Sequence, residues 1–277
     1  MYGNSSQFLE KMLKIREIKP KIGFIGEKRE NILDDLDFAV QNRFDYYEIQ
    51  GLGKNVDLKS EIIEQAKKIA QDNNISLNLH AFYLLISSLI PEISKLALKS
   101  AKEEIVLANK IGAKRIIIHS GYKDEPENET AVAKNFEILI KNLKGIVKFG
   151  KKCGIKIGLE NAFGPDNLCR KPEDLLKVLN LVKGLGITFD IGHANLIGLN
   201  PIKYFKKIKD FVINIHIHDN DGIADQHALI GKGNINFKEF LRECKNSNYY
   251  GPFILELFPK KNVLKGREIF LNFWNQI

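Results

Sequence analysis

The segment that decides the fold reads GITFDIGH at residues 186–193, a short apolar strand followed at once by Asp190 and soon after by His193. A second segment, FVINIHIHD at residues 211–219, has the same pattern and ends in His216 and His218. Strands this apolar are normally buried on both faces, as in a parallel sheet covered by helices. Core packing does not explain a carboxylate and imidazoles at their ends. Both segments therefore predict strands that end at a functional site.

Six further segments have the same apolar strand pattern and alternate with helical patterns; they lie at residues 21–25, 45–49, 74–79, 115–118, 155–159 and 252–255. This alternation predicts parallel strands joined by right-handed crossovers. With strands about 25 to 40 residues apart, it predicts a (β/α)8 TIM barrel that forms a single domain over residues 1–277. Residues 1–18 are expected to form an N-terminal cap segment. An open doubly wound sheet is less favoured, because no GxGxxG follows the first strand.

The composition is that of a globular protein, with 44% hydrophobic residues, a net charge of +8 and a pI near 9.1. A basic balance can indicate nucleic acid binding, but the lysines are spread along every predicted helix rather than concentrated in one stripe. The three cysteines are widely spaced and form no CxxC, which favours reduced thiols. There is no signal-peptide pattern and no stretch long enough to span a bilayer. We therefore expect a cytoplasmic protein with no membrane partner.

Histidines and carboxylates collect where the predicted strands end. The histidines at or shortly after strand ends are His80, His119, His193, His216, His218 and His227, and the carboxylates placed equivalently are Glu48, Glu160, Asp190 and Glu256. In a (β/α)8 barrel the carboxyl ends of the strands surround one active site. Carboxylates that converge repel one another unless a cation neutralises them. Mixed imidazole and carboxylate ligands predict one to three divalent ions, Zn²⁺ or Mn²⁺ rather than Ca²⁺ or Mg²⁺.

Seven short motifs along the chain resemble those of the xylose isomerase-like TIM barrels, also called AP endonuclease family 2; they are LHAFY at 79–83, IHSG at 118–121, LEN at 159–161, FDIGH at 189–193, HIHD at 216–219, DQH at 225–227 and LE at 255–256. That superfamily joins endonuclease IV with sugar and sugar-phosphate isomerases and epimerases. The resemblance extends from the second predicted strand to the eighth.

The resemblance implies a metal set, carried over position by position. The set of endonuclease IV, which uses three zinc ions, would be His80, His119, Glu160, Asp190, His193, His216, Asp225, His227 and Glu256. The isomerases and epimerases use a subset, here Glu160, Asp190, His216 and Glu256. In those enzymes the two glutamates also act as the acid/base pair, which makes Glu160 and Glu256 the expected catalytic residues.

Three functional hypotheses remain open. The first is a divalent-metal-dependent sugar or sugar-phosphate isomerase or epimerase, with Glu48, His218 and Lys232 among the substrate-binding residues. In this hypothesis the turn at residues 231–233 either holds a substrate phosphate or is a simple flexible turn. The second is an endonuclease IV-like hydrolase that cuts DNA at abasic sites. It is supported by Tyr83, which resembles a residue that endonuclease IV inserts into DNA, but that family has Asp-Arg-His where this chain has DQH. The third is a degenerate, non-catalytic barrel.

Overall fold

The structure is a computed structural model that describes residues 19–51, 58–82, 84–249 and 251–277. The expected N-terminal cap segment at residues 1–18 and the substrate-binding candidate Tyr83 lie outside the described residues. All other candidate site residues lie within them.

Eight parallel strands close into a barrel in chain order, with the first strand paired to both the second and the eighth. They are β1 (Ile22–Ile25), β2 (Tyr46–Gln50), β3 (Ser76–His80), β4 (Arg115–His119), β5 (Lys156–Glu160), β6 (Gly186–Asp190), β7 (Val212–Ile217) and β8 (Phe253–Leu255). The predicted (β/α)8 TIM barrel is confirmed, and each predicted strand is found within two residues of its expected bounds.

Helices follow the strands and cover the outside of the barrel. They are α1 (Ile32–Gln41), α2 (Ser60–Asp72), α3 (Pro91–Ile111), α4 (Glu129–Lys152), α5 (Pro172–Leu181), α6 (Ile191–Leu196), α7 (Pro201–Ile208), α8 (Phe237–Asn246) and α9 (Lys260–Asn275). Short 3₁₀ turns lie at Arg29–Asn31 and Lys209–Phe211. Three helices begin with proline at the first position, where the missing N–H costs nothing. Within the described residues, no helix is both long and apolar enough to span a bilayer.

The strands alternate between two environments. On β3, for example, Leu77 and Leu79 point outward into the apolar layer shared with the helices. The residues between and after them, Asn78 and His80, point into the barrel, where Asn78 contacts Asn214 of β7 across the interior. Because side chains alternate along a strand, the polar residues at the carboxyl ends all face the same enclosed space. This is what assembles the site.

The helix α6 was not predicted from the sequence, in which this segment was interpreted only as a strand end followed by metal-binding residues. Asp190 ends β6 and also serves as the N-cap of α6, its Oδ1 accepting a hydrogen bond of 2.7 Å from the backbone N–H of His193. Asp is a preferred N-cap residue because its carboxylate satisfies a free amide of the first turn. The short helix fixes His193 beside Asp190.

Candidate metal centre

The structure brings the predicted ligands together at the carboxyl end of the barrel. Most lie on the last residue of a strand or just beyond it, on six of the eight strand–helix units. His193 is on α6, Asp225 and His227 are in the loop after β7, and Glu256 directly follows β8. Together they surround a cavity of about 160 Å³ at the mouth. Asp190 and His216 lie deeper than the residues that line it.

Glu160 occupies the centre of the cluster. Its Oε2 lies 3.1 Å from Nε2 of His119 and 3.4 Å from Nε2 of His80, and its Oε1 lies 3.1 Å from Nδ1 of His216. The carboxylate is 1% exposed. Glu160 therefore faces two groups of ligands at once, one with each oxygen.

The ligand atoms form adjacent groups in which all members lie within 4.8 Å of one another. The first contains His80, His119 and Glu160, and the second contains Glu160, Asp190, His216 and Glu256. A third region comprises two overlapping groups, Asp190 with His193 and His218, and His218 with Asp225 and His227. Imidazole nitrogens and carboxylate oxygens at this spacing are the donor set of Zn²⁺ and similar ions.

Two buried oxygens support metal binding by this donor set. Oδ1 of Asp225 is buried and accepts no hydrogen bond from the described residues. Oε2 of Glu160 accepts no well-directed hydrogen bond either, although two imidazole nitrogens lie within 3.4 Å of it. A buried carboxylate oxygen without a donor is unfavourable unless a cation balances it. The residues present therefore fit a divalent metal.

The rings of His193 and His227 are oriented by backbone carbonyls. Nδ1 of His193 donates to the carbonyl of Asn161 at 2.8 Å, and Nδ1 of His227 donates to that of Glu256 at 3.1 Å. In each ring Nε2 then faces Asp225, at 3.7 and 3.2 Å. A hydrogen bond to one ring nitrogen fixes which nitrogen is left for a metal. Both rings thus present Nε2 to the third region.

In the metal-free protein, the electrostatics of the site favours ion pairs between protonated histidines and carboxylates. Burial would lower the pKa of His193, but the charges of Asp190, Asp225 and Glu160 outweigh it and raise the pKa to about 10. Burial likewise opposes protonation of His227, yet Asp225 and Glu256 raise its pKa to about 9. The pKa of the His216 imidazole is also raised well above its usual value, against burial, by Glu48 and Glu160. Protons thus neutralise the carboxylates where a metal would otherwise do so.

Three of the four residues expected to bind substrate lie in the described part of the chain, and none of them lines the cavity. Glu48 is fully buried beneath His80 and His216. His218 is also fully buried, with its Nε2 3.1 Å from Oδ1 of Asp190, which places it among the candidate ligands. Lys232 is exposed.

The turn around Lys232 is already occupied by a side chain of the protein. The backbone N–H groups of Gly231 and Gly233 both donate to Oδ2 of Asp219 at 2.9 Å. Asp219 is fully buried, and its Oδ1 also accepts from the N–H of Asn220. These two amides are therefore not free to bind a substrate phosphate, and the turn has the structural role of fixing the loop after β7.

Two polar residues inside the barrel, Asn78 and Asn214, were not among the predicted site residues. Both are fully buried, and both side-chain amides donate to Glu48. Each stands two positions before a histidine of the site on the same strand. Since strand side chains alternate, an Asn-x-His spacing places the asparagine on the same face as the histidine. That spacing was the signal available in the sequence.

Gly192 lies where no side chain fits, because a Cβ there would overlap the ring of His218. We expect Gly192→Ala to displace His218 and to lower the free energy of unfolding by about 1–3 kcal/mol, as overpacking does. Gly145→Ala is the matched control, since Gly145 lies inside α4 and the nearest atom to its added Cβ is 4.0 Å away. The free energy of unfolding of the control should rise by up to about 1 kcal/mol, because alanine has a higher helix propensity than glycine. Denaturant unfolding in chelator measures both, and equal midpoints would contradict the packing argument.

Comparison with known proteins agrees with this geometry. The family model described as "Xylose isomerase-like TIM barrel" matches residues 36–272. The chain belongs to this family. The uncharacterized protein MJ1311 of Methanocaldococcus jannaschii is 31% identical over 248 residues, which is 87% of this chain and 84% of that protein. The crystal structure of a D-tagatose 3-epimerase-like protein superimposes with a TM-score of 0.81 and 30% identity, covering 92% of this chain and 98% of the other.

Relatives of this chain have names that indicate different reactions. A probable endonuclease 4 of Bacillus licheniformis is 26% identical over 195 residues, which is 63% of this chain and 64% of that protein. The xylose isomerase-like family member described here therefore has one relative named as 3-epimerase-like and another named as a probable endonuclease. The resemblance that the motifs predicted is confirmed, and the reaction must be argued from the site.

Proposed function

We propose that the protein is a divalent-metal-dependent epimerase or isomerase that acts on a small sugar or sugar phosphate containing a carbonyl group. The observation that supports this most is the group of Glu160, Asp190, His216 and Glu256, whose ligand atoms lie within 4.8 Å of one another. It contains two glutamates that come from different sides of the barrel mouth, one at the end of β5 and one after β8. An acid and a base on opposite sides of a carbon can remove its proton from one face and return it to the other.

The residues of the chain have separate parts in this proposal. Asp190 and His216, both fully buried, would hold the ion at the bottom of the cavity. A bound divalent metal polarises a carbonyl and stabilises the enediolate that forms when the neighbouring C–H is deprotonated. Glu160 and Glu256 line the cavity, and each would hold or give up the proton that moves at the substrate carbon. Phe82, at the mouth, would help to exclude water from the bound sugar.

The cavity and the cysteines support the remaining parts of the proposal. A space of about 160 Å³ suits a single small molecule better than an extended polymer. The cysteines Cys153, Cys169 and Cys244 are all free, which is typical of proteins kept in a reducing compartment. We therefore include a cytoplasmic location in the proposal.

Deuterium exchange tests the proposed reaction. Protein loaded with Mn²⁺, Co²⁺ or Zn²⁺ would be incubated in D₂O with a panel of ketopentoses and ketohexoses, free and phosphorylated. We expect NMR to show deuterium entering the carbon beside the carbonyl of at least one sugar, with the epimer or isomer forming. Glu256→Gln should slow the exchange by about 100-fold or more, as loss of an acid/base group does. Exchange at the same rate in that variant, or none with any sugar, would contradict the proposal.

A second candidate, a metal-dependent phosphodiester hydrolase, is favoured by the third region. The overlapping groups around His218 place additional ligands next to the first two groups, more than a single ion needs. Two or three adjacent ions are the arrangement used for phosphoester hydrolysis. Elemental analysis showing about three zinc ions per chain, together with cleavage of a duplex that carries an abasic site, would select this reaction. Binding of metal without either activity would instead support the non-catalytic barrel.

A further inference from the structure

Glu48 lies beneath the metal centre and outside the cavity, which leaves its function unexplained by substrate binding. It is fully buried on β2 and points into the barrel. Its Oε1 lies 2.8 Å from Nε2 of His216 and 3.1 Å from Nδ1 of His80. His80 belongs to the first candidate metal group and His216 to the second, and the ligand atoms of both also lie within 4.8 Å of Glu48 in a further group. One carboxylate oxygen therefore contacts a ligand of each group from below.

A carboxylate can only accept hydrogen bonds, so both ring nitrogens that face Glu48 must carry hydrogen. In a neutral imidazole the other nitrogen then has a lone pair. For His216 that nitrogen is Nδ1, which lies 3.1 Å from Glu160 and 3.4 Å from Glu256. For His80 it is Nε2, which lies 3.4 Å from Glu160. Both lone pairs point towards the metal groups, although they belong to opposite nitrogens of the ring.

The second oxygen of Glu48 is fixed as well. Oε2 accepts from the side-chain amide of Asn214 at 3.1 Å and from that of Asn78 at 3.2 Å. The carbonyl oxygen of the Asn78 side chain in turn accepts from Arg115 at 3.4 Å. The carboxylate thus has donors on both oxygens and cannot rotate without losing them. This leaves Oε1 to the two histidines.

From this geometry we propose that Glu48 is a positioning residue that fixes opposite ring tautomers in His80 and His216 and thereby aims one lone pair from each at neighbouring metal ions. The inference rests on the proposed metal centre and holds for either candidate reaction. Glu160 joins the two groups from the cavity side, and Glu48 joins them from the barrel interior. Groups beyond the ligands that orient a histidine typically change metal affinity about 10- to 100-fold when removed.

Glu48→Gln tests the role because the amide keeps the shape and loses one acceptor. The NH₂ group of the new amide would face either the two imidazoles or the two asparagine amides. Both pairs present N–H groups to this position, so a donor would then face a donor. We therefore expect one imidazole to turn or change tautomer, and zinc affinity to fall about 10- to 100-fold. The matched control is Asp35→Asn, which also changes a buried carboxylate to an amide. Asp35 lies on the other side of β2, where it accepts from the hydroxyl of Tyr47 and pairs with Lys260.

Two measurements are needed, zinc affinity by competition with a chromophoric chelator and histidine ¹⁵N NMR of the zinc-loaded protein. In the wild type we expect zinc on Nδ1 of His216 with hydrogen on Nε2, and zinc on Nε2 of His80 with hydrogen on Nδ1. Asp35→Asn should bind zinc as the wild type does.

The same metal-binding nitrogen in both rings, or a Glu48→Gln affinity within twofold of the wild type, would overturn the positioning role. The tautomer measurement needs only the wild type, so it decides even where Glu48→Gln does not fold. A wild type that takes up no zinc would overturn the metal centre itself and the positioning role with it. That result is distinct from zinc binding with unexpected tautomers, which overturns the positioning role alone.

Discussion

Glu160→Gln is expected to lower the rate of the metal-loaded protein by about 1,000-fold or more, within the range seen when an acid/base group is lost. Two effects combine in this variant. The group that would move the substrate proton is gone, and the amide replaces a carboxylate that faces ligands of two metal groups, through His119 and His216. We therefore expect fewer metal ions per chain as well as slower turnover. Deuterium exchange gives the rate, and elemental analysis of the dialysed protein gives the metal content.

Glu268→Gln is the control for that experiment, because Glu268 is exposed on α9 and belongs to none of the candidate metal groups. It should match the wild type in both rate and metal content. A Glu160 variant that keeps the full metal content and the full rate would show that the centre of the cluster has been misassigned. Loss of metal with no loss of rate would separate metal binding from catalysis.

Metal affinity is expected to rise steeply with pH between 7 and about 9, the second large effect. The pKa values of His193 and His227 are raised from 6.5 to about 10 and about 9 in the metal-free protein, so both rings are protonated at pH 7. A metal binds only the neutral ring, so each ring that becomes a ligand releases a proton. Affinity should therefore increase about tenfold per pH unit for each proton released, and level off above the raised pKa values.

Calorimetry in buffers that differ in ionisation enthalpy measures this release directly. The number of protons should be at least one per chain at pH 7 and should fall towards zero only above pH 10, beyond the raised pKa of His193. His227→Asn should reduce it, because one of the raised groups is removed. An affinity that does not change between pH 7 and 9 would contradict the ion pairs of the metal-free protein, or would show that neither ring is a ligand.

The same shifts have a consequence for stability. A histidine whose folded pKa lies above its unfolded value stabilises the fold below about pH 6.5, and the contribution disappears as pH rises through the folded pKa. For His193 and His227 that window extends from about 6.5 to between 9 and 10. Metal-free protein should therefore lose stability across this range.

The fold could be predicted from the sequence because each strand is recognisable as a largely apolar run, and these runs alternate with helical patterns. Most candidate ligands could be predicted because they stand at or shortly after those runs, whereas Asp225 was expected only from the family resemblance. The role of Glu48 could not, since its position at a strand end does not tell whether it faces the cavity or lies a layer below. That depends on the register of β2 against β3, in which Glu48 pairs with Asn78 and Gln50 with His80.

Three other features could not be predicted from the sequence, for different physical reasons. Asp190 was read only as a ligand, whereas it also caps α6, and one carboxylate can have both roles. The last helix begins at Lys260, and its first turn lacks an apolar repeat that would indicate this start in the sequence. The turn at residues 231–233 resembles a phosphate-binding loop in sequence, and only the position of Asp219 shows that its amides are taken.

The closure of the barrel by β8 against β1 also constrains when the protein could acquire the proposed ions. Glu256 follows β8. A chain still emerging from the ribosome therefore contains the candidate ligands of the earlier units but lacks Glu256 and the pairing of β8 with β1 that closes the barrel. Such an intermediate would capture ions loosely and with the wrong geometry. Correct loading is therefore expected to be a late event of biogenesis, after synthesis has passed the eighth strand.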